Sequence, residues 1–336
     1  MVSSRHYKIM RLERSVQNWE MGQLSQKRFE ISSDEVNGPL NLAETIVSAQ
    51  TSEPEWSRIG ESFTDVELLD DIPVKYTVTQ SGTVDDFVIK VNYVGERQIS
   101  KTLRAHLEKI LGLHDDLPAF YHKFDLAEEP LSQTFPRLRG LRLMRGTDPF
   151  ESLICSILSQ NNSALLWNRT ARLLMRHYGK KVRLLDGSDF FLFPKPEMLA
   201  RAKVRELQAK TSMGYRARSV LETSRLIAKG DLKLEELCSY SYEELMETLL
   251  ELYGVGPKVA DCFILYGLAR LDAAPVDVWI QRIVTKLYFK NKGISKTQSA
   301  KFLRDRFGEW AGYAQLYLFD FARRVAPTML KAGKDS

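Results

Sequence analysis

The stretch LYGVGPKVADC (252–262), followed by PVDVW (275–279), carries the most information in this chain of 336 residues. Apolar residues at helical spacing run up to about Leu252 and resume after Pro257, so the residues between them form a tight helix–hairpin–helix corner. Gly254 and Gly256 allow backbone angles that other residues resist. Pro257 suits the first position of a helix, where its missing N–H costs nothing. The amides of Tyr253, Gly254, Val255 and Gly256 can then point outward together, which makes a site for a phosphate oxygen and leaves room for a bound cation. An ordinary helical corner has the same spacing. Lys258 stands at the positive end of the new helix, where the dipole disfavours a cation. With partial burial its amine becomes neutral and nucleophilic, although position alone also fits a surface lysine. A helix from Lys258 to about residue 268 is ~16 Å long, and the residues after it suffice to bring Asp277 back beside Lys258. Asp277 also precedes an apolar-periodic helix, so it is equally a natural N-cap.

Outward from this stretch the periodicity stays helical. Residues 149–159, 165–178, 216–227, 242–252, 258–268, 278–288, 296–307 and 314–325 read as helices, with Gly and Pro in the short connections. Leu103, Leu107, Ile110 and Leu111 mark one face of an earlier helix. Before that, from residue 40 to 94, short runs alternate apolar and polar, most clearly 75–80 (KYTVTQ) and 87–93 (FVIKVNY) around a turn of composition SGTVDD. Residues 7–12 and 29–32 are further short strand candidates. The expected fold is therefore α+β. A small antiparallel β-sheet domain (1–125, its first ~35 residues polar and arm-like) precedes an all-helical bundle (126–336).

Composition limits the function. Hydrophobic residues make up 44% and charged residues 27%, which supports a packed core. No apolar run is long enough for a transmembrane helix and the N-terminus lacks the core of a secretion signal, so the cytosol, or a nucleus if there is one, is expected. Cys155, Cys238 and Cys262 are too few for a disulfide framework or a four-cysteine metal or iron–sulfur site. The net charge of +5 hides an asymmetry: residues 1–130 carry 14 Lys/Arg against 22 Asp/Glu, and residues 131–336 carry 34 against 21. Only the later part is suited to a polyanion, with Arg137, Arg139, Arg142, Arg145 and Arg218 as candidate contributors.

With PVDV after it, the hairpin resembles that of the helix–hairpin–helix, Gly-Pro-Asp superfamily of base-excision DNA glycosylases, and within it the 8-oxoguanine DNA glycosylase/AP lyase family. The resemblance extends to GLRLMRGTDPFESLICSILSQNN (140–162), MGYRAR (213–218), YAQLYLF (313–319) and, more weakly, SAQT (48–51). It implies a bifunctional enzyme of base excision repair that acts on double-stranded DNA, probes by base flipping, and uses no redox cofactor. Lys258 would be the nucleophile and Asp277 the stabilising carboxylate. Gln315 would hydrogen-bond the lesion edge, Phe319 would stack on it, Cys262 would line the other face, and the carbonyl of Ala49 would sense the lesion. Asn161 would meet the base opposite, and Asn162 would bind DNA beside it, although both asparagines also suit a helix cap. Tyr215 and Arg216 would wedge into the duplex. Three positions depart from the family: Ala49 replaces a glycine, Trp279 replaces a histidine common in eukaryotic members, and Leu166 stands where many eukaryotic members have an arginine. The last speaks against a strict preference for cytosine. The sequence shows no oligomerisation signal, so a monomer is expected. A glycosylase for alkylated or other damaged purines, a non-catalytic helix–hairpin–helix DNA-binding protein, and an interaction protein with an acidic partner are the competing readings.

Overall fold

The computed structural model describes residues 26–325, apart from 49, 53, 55, 96 and 97. The strand candidate at 7–12 and the position of Ala49 therefore lie outside the described residues. The N-terminal half is built on a five-stranded antiparallel sheet in the order β1-β5-β4-β3-β2, made from β1 (Gln26–Ser32), β2 (Ser57–Ile59), β3 (Ser62–Leu69), β4 (Ile72–Gly82) and β5 (Phe87–Val94). Strand alternation dictates the buried face: Val74, Tyr76 and Val78 on β4, and Phe87, Ile89, Val91 and Tyr93 on β5, all point inward. Asp70 and Asp71 both adopt positive φ, as a two-residue hairpin between β3 and β4 requires. The region read as strands also contains a short helix, α1 (Leu42–Val47), capped by Asn41. Its six residues are too few for periodicity to separate helix from strand.

Helix α2 (Ile99–Ile110) closes the sheet with the expected face: Leu103, Leu107, Ile110 and Leu111 are fully buried in the sheet's core. The second core is helical and begins at Leu117. Its helices are α3 (Leu117–Phe124), α4 (Phe135–Leu138), α5 (Pro149–Leu158), α6 (Ala164–Tyr178), α7 (Pro196–Ala200), α8 (Val204–Thr211), α9 (Arg216–Lys229), α10 (Tyr242–Leu250), α11 (Pro257–Cys262), α12 (Val278–Tyr288), α13 (Lys296–Phe307) and α14 (Ala311–Asp320). Helix α3 lies on the N-terminal side of the expected boundary at 125, yet packs with the helical core. A small hairpin, Lys181–Arg183 with Asp189–Phe191, interrupts the helices where only helix was expected. Helices α11 and α14 each run on into a π-helical turn, Phe263–Gly267 and Phe321–Val325. Among the described residues, no helix is long and apolar enough to cross a membrane.

Polar groups weld the two halves. Arg142 is wholly buried and donates to the carbonyl oxygens of Asn37 (2.7 Å), Pro39 (3.0 Å), Gly112 (2.6 Å) and Asp115 (3.3 Å). The Asp115 carboxylate pairs with Arg145 and accepts from the Tyr313 hydroxyl at 2.6 Å. Arg139 holds Asp85 through its Nε at 3.0 Å. Three of the five arginines expected on the DNA side are thus structural. A buried guanidinium is retained where fixed carbonyls replace its water. On β3, Asp65 and Glu67 lie side by side on one face, with Asp148 near Glu67 and Arg172 near Asp65. Burial, and secondarily the Glu67 carboxylate, pushes Asp65 up to about 8; burial, with a smaller push from Asp148, raises Glu67 to about 7.

Candidate active site

The hairpin begins where α10 ends. Gly254 has φ +75°, and a Cβ built there would lie 2.2 Å from the Ser219 Oγ, so both backbone angle and space demand glycine. Gly256 does not share that constraint. It caps α11 in an extended conformation (φ −109°, ψ 177°) with open space where a Cβ would be. Val255 is buried and its N–H is already bonded to the Leu252 carbonyl at 3.0 Å, so it is not one of the outward amides. Among the described residues the amides at this corner without a hydrogen bond are those of Tyr253, Gly254, Gly256 and Lys258, the last two as expected of a helix start. Tyr253 is exposed and carries the Arg218 guanidinium 4.2 Å above its ring.

Lys258 lies on the first turn of α11, half-buried, and its Nζ donates to the Ser159 Oγ at 2.7 Å. One turn on, the buried Cys262 thiol is pushed up by burial, an effect opposed by the nearby Lys258 and by a hydrogen bond with Thr51. Asp277 caps α12: its Oδ1 accepts from the amides of Trp279 (2.8 Å) and Ile280 (3.0 Å). The capping reading and the active-site reading are therefore compatible, since the cap fixes the carboxylate and leaves Oδ2 without a partner among the described residues. No ion pair within 4 Å joins Lys258 to Asp277 in this state. Tyr266 lies near Cys262 and Asp277. Its buried phenol is raised well above its usual range, by burial first and then by Cys262 and Asp277, which both border it. The sequence contained the signal for Tyr266, since Lys258, Cys262 and Tyr266 follow at helical spacing, but a tyrosine on an apolar helix reads as core. The loop that delivers Asp277 is held by Asp261, which accepts from the Ala274 amide and from the Tyr242 hydroxyl (2.7 Å), and burial raises Asp261 to about 6.

The C-terminal helix supplies the other wall. Gln315 on α14 is 5% exposed, and its Oε1 is buried with no hydrogen-bond partner among the described residues. A lone buried acceptor costs free energy unless something comes to satisfy it. Phe319, one turn later, is partly buried, with the Arg323 guanidinium 4.9 Å from its ring. The segment around Ala49 is anchored on both sides. Buried Gln50 donates to Ser48 Oγ (2.8 Å) and the Arg142 carbonyl (2.9 Å) and accepts from the Met144 amide (2.8 Å). Ser152 Oγ then donates to the Ser52 carbonyl at 2.6 Å.

The Asn-rich turn lies across from the hairpin. Asn161 takes φ +46° and its Nδ2 donates to the Tyr215 hydroxyl at 3.3 Å. Asn162 donates back to the Leu158 carbonyl, and Ser163, not either asparagine, caps α6. Tyr215 is 57% exposed. Arg216 departs from its expected wedge position. It is buried, with Nε on the Gln160 carbonyl (2.8 Å) and the second terminal nitrogen on the carbonyls of Gln160 and Asn161. Arg216 shapes the turn from behind while Tyr215 projects. Leu165 and Leu166 are exposed beside them.

Two family models match end to end: "8-oxoguanine DNA glycosylase, N-terminal domain" over residues 31–153 and "HhH-GPD superfamily base excision DNA repair protein" over residues 154–309. A probable N-glycosylase/DNA lyase of Methanothermobacter thermautotrophicus is 36% identical, covering 85% of this chain and 95% of that one. The N-glycosylase/DNA lyase of Saccharomyces cerevisiae is 31% identical over 67% of this chain and 68% of its own. Among solved structures, MBOgg1 bound to a low affinity DNA ligand aligns with TM-score 0.76 at 29% identity, over 90% of this chain and 99% of that one. The Clostridium acetobutylicum 8-oxoguanine glycosylase/lyase, bound to double-stranded DNA with cytosine opposite 8-oxoG, aligns with TM-score 0.72 at 25% identity, over 90% and 98%.

Proposed function

Because the chain belongs to the HhH-GPD superfamily of base excision DNA repair proteins and carries the 8-oxoguanine DNA glycosylase N-terminal domain, we propose that it excises 8-oxoguanine from duplex DNA and then cleaves the strand as an AP lyase. The observation that carries this reading is the amine of Lys258, set at a hairpin helix start, bordered by the Cys262 thiol, and held by one hydroxyl instead of by a carboxylate.

A base within a duplex is out of reach, so the damaged nucleotide is first turned out of the stack at a cost of a few kcal/mol. The Gly256 and Lys258 amides take a backbone phosphate, Tyr215 fills the vacated stack, and Asn161 meets the base opposite. In the pocket the unpartnered Gln315 Oε1 accepts from the lesion edge, Phe319 and Cys262 flank its faces, and the Ala49 carbonyl contacts it. The Lys258 amine attacks the anomeric carbon as the glycosidic bond breaks, and the base leaves with that electron pair. Asp277, held by its own helix, stabilises the positive charge that develops on the sugar and helps to move the protons. Ring opening yields an imine, and loss of a C2′ proton expels the 3′ phosphate. Nucleophilic attack and elimination need no redox cofactor. A cation at 254–256 would serve only to bind phosphate. The enzyme acts on DNA as a single chain, in the nucleoid or the nucleus.

Borohydride reduction should trap wild-type protein covalently on duplex containing 8-oxoguanine, and Lys258→Gln should trap none. Undiminished trapping by Lys258→Gln would refute the nucleophile. A panel of alkylated bases and opposing bases fixes the substrate, and salt-sensitive binding without base release would instead favour a non-catalytic DNA-binding protein.

A further inference from the structure

We propose that Ser159 is the positioning residue for Lys258, and that the turn it begins ties the amine mechanically to the contact with the opposite strand. The inference rests on Lys258 being the nucleophile.

Ser159 terminates α5 and is 8% exposed. Its hydroxyl proton is committed, since Oγ donates to the Ser156 carbonyl at 2.7 Å. Its lone pairs are therefore turned outward, and they receive the Lys258 Nζ at 2.7 Å. A lysine has four rotatable side-chain bonds, and one fixed acceptor selects among their rotamers. Holding an attacking atom in near-attack geometry is worth large rate factors, and a displacement of ~1 Å costs about a hundredfold.

The next two residues reach the hairpin and the projecting tyrosine. The Gln160 carbonyl accepts from Arg216 Nε (2.8 Å) and from the Tyr215 hydroxyl (3.5 Å). The Gln160 side chain donates to the Gly254 carbonyl in the hairpin at 3.2 Å. The Asn161 carbonyl accepts from Arg216 (3.0 Å), and the Asn161 amide group donates to Tyr215. Three consecutive residues thus touch the amine, the phosphate hairpin and the projecting tyrosine. A force on Asn161 or Tyr215 from the opposite strand reaches Ser159 through one rigid turn, and Ser159 sets where the amine points. This is a contiguous hydrogen-bonded coupling path, and it predicts non-additive variants.

The test is single-turnover borohydride trapping on 8-oxoguanine duplex, with equilibrium DNA binding and melting temperature measured in parallel. Trapping by wild type but not by Lys258→Gln secures the underlying reading; failure there would strike that reading and not this one. Ser159→Ala should then trap about tenfold more slowly, with DNA affinity within about twofold of wild type and an unchanged melting temperature. Ser159→Thr, which keeps the hydroxyl, should recover most of the rate. Asn161→Ala should slow trapping less in the Ser159→Ala background than in wild type. A Ser159→Ala rate equal to wild type, equal losses in the Ala and Thr variants, or strictly multiplicative losses with Asn161→Ala would overturn the proposal.

Discussion

The hairpin and the wall that faces it are built in opposite ways. The hairpin side, residues 252–279, is almost local: a turn glycine, a helix-starting proline, a lysine in the first turn and an aspartate that caps the next helix lie within one short stretch. The facing wall is assembled from segments around residues 50, 160, 216 and 315, joined by buried hydrogen bonds between remote parts of the chain. A local corner is rigid because its backbone has few alternatives. The assembled wall is rigid only while its distant partners stay in place, so single substitutions should act on the two sides through different channels.

Arg216→Ala should produce the largest effect on folding. It takes the Arg216 donors away from the Gln160 and Asn161 carbonyls, at roughly 3 kcal/mol measured by urea unfolding. DNA affinity should fall with it because the turn loosens. A stable variant that loses only DNA binding would return Arg216 to the duplex. Gln315→Ala should separate activity from stability. Base release should fall about 10–100-fold, while stability stays level or rises by up to ~1 kcal/mol because an unsatisfied buried acceptor is removed. Parallel losses would make Gln315 an ordinary core residue.

Within the hairpin the two glycines should part company. Gly254→Ala meets both positive φ and the Ser219 hydroxyl and should cost about 1–2 kcal/mol in thermal unfolding. Gly256→Ala should leave the melting temperature alone yet weaken salt-sensitive DNA binding, since its open side is where a phosphate must approach. Equal destabilisation would mean that Gly256 is structural after all. The smallest effect concerns pH at the seam between the halves. Asp65 is raised from 3.8 to about 8 in the fold, so the folded state holds its proton more tightly than the unfolded chain does. Stability from this group is complete below about pH 4 and declines as pH rises toward 8. Asp65→Asn should flatten that decline, gaining roughly 1 kcal/mol at pH 8 and little at pH 4 once solvent screening and the Glu67 partner are allowed for. A stability profile unchanged between wild type and variant would place Asp65 in water.

Legibility followed the same divide. The helices at Val278–Tyr288 and Lys296–Phe307 begin and end where periodicity placed them, and in the fold Asp277 and Ser295 secure their starts by bonding to amides two or three residues on. Arg216 was misread because an arginine beside an exposed tyrosine looks like a DNA contact until two carbonyls from residues 160 and 161 appear behind it. Arg142 deceived in the same manner: its positive charge counts toward a basic surface in the composition, while in the fold it is sealed among four carbonyl groups. Helix α1 and the hairpin at 181–191 escaped because segments so short have too little period to measure.

By itself the sequence determined the two-part architecture, the corner at Gly254, the cap at Asp277 and the lysine between them. All of these rest on backbone preferences and hydrogen bonds that reach only a few residues. Tertiary structure alone decided which charges are buried, that Ser159 receives the Lys258 amine, and that Gln315 keeps an unmet acceptor. Burial and partner choice depend on which remote segments meet, and that information is spread over the whole chain.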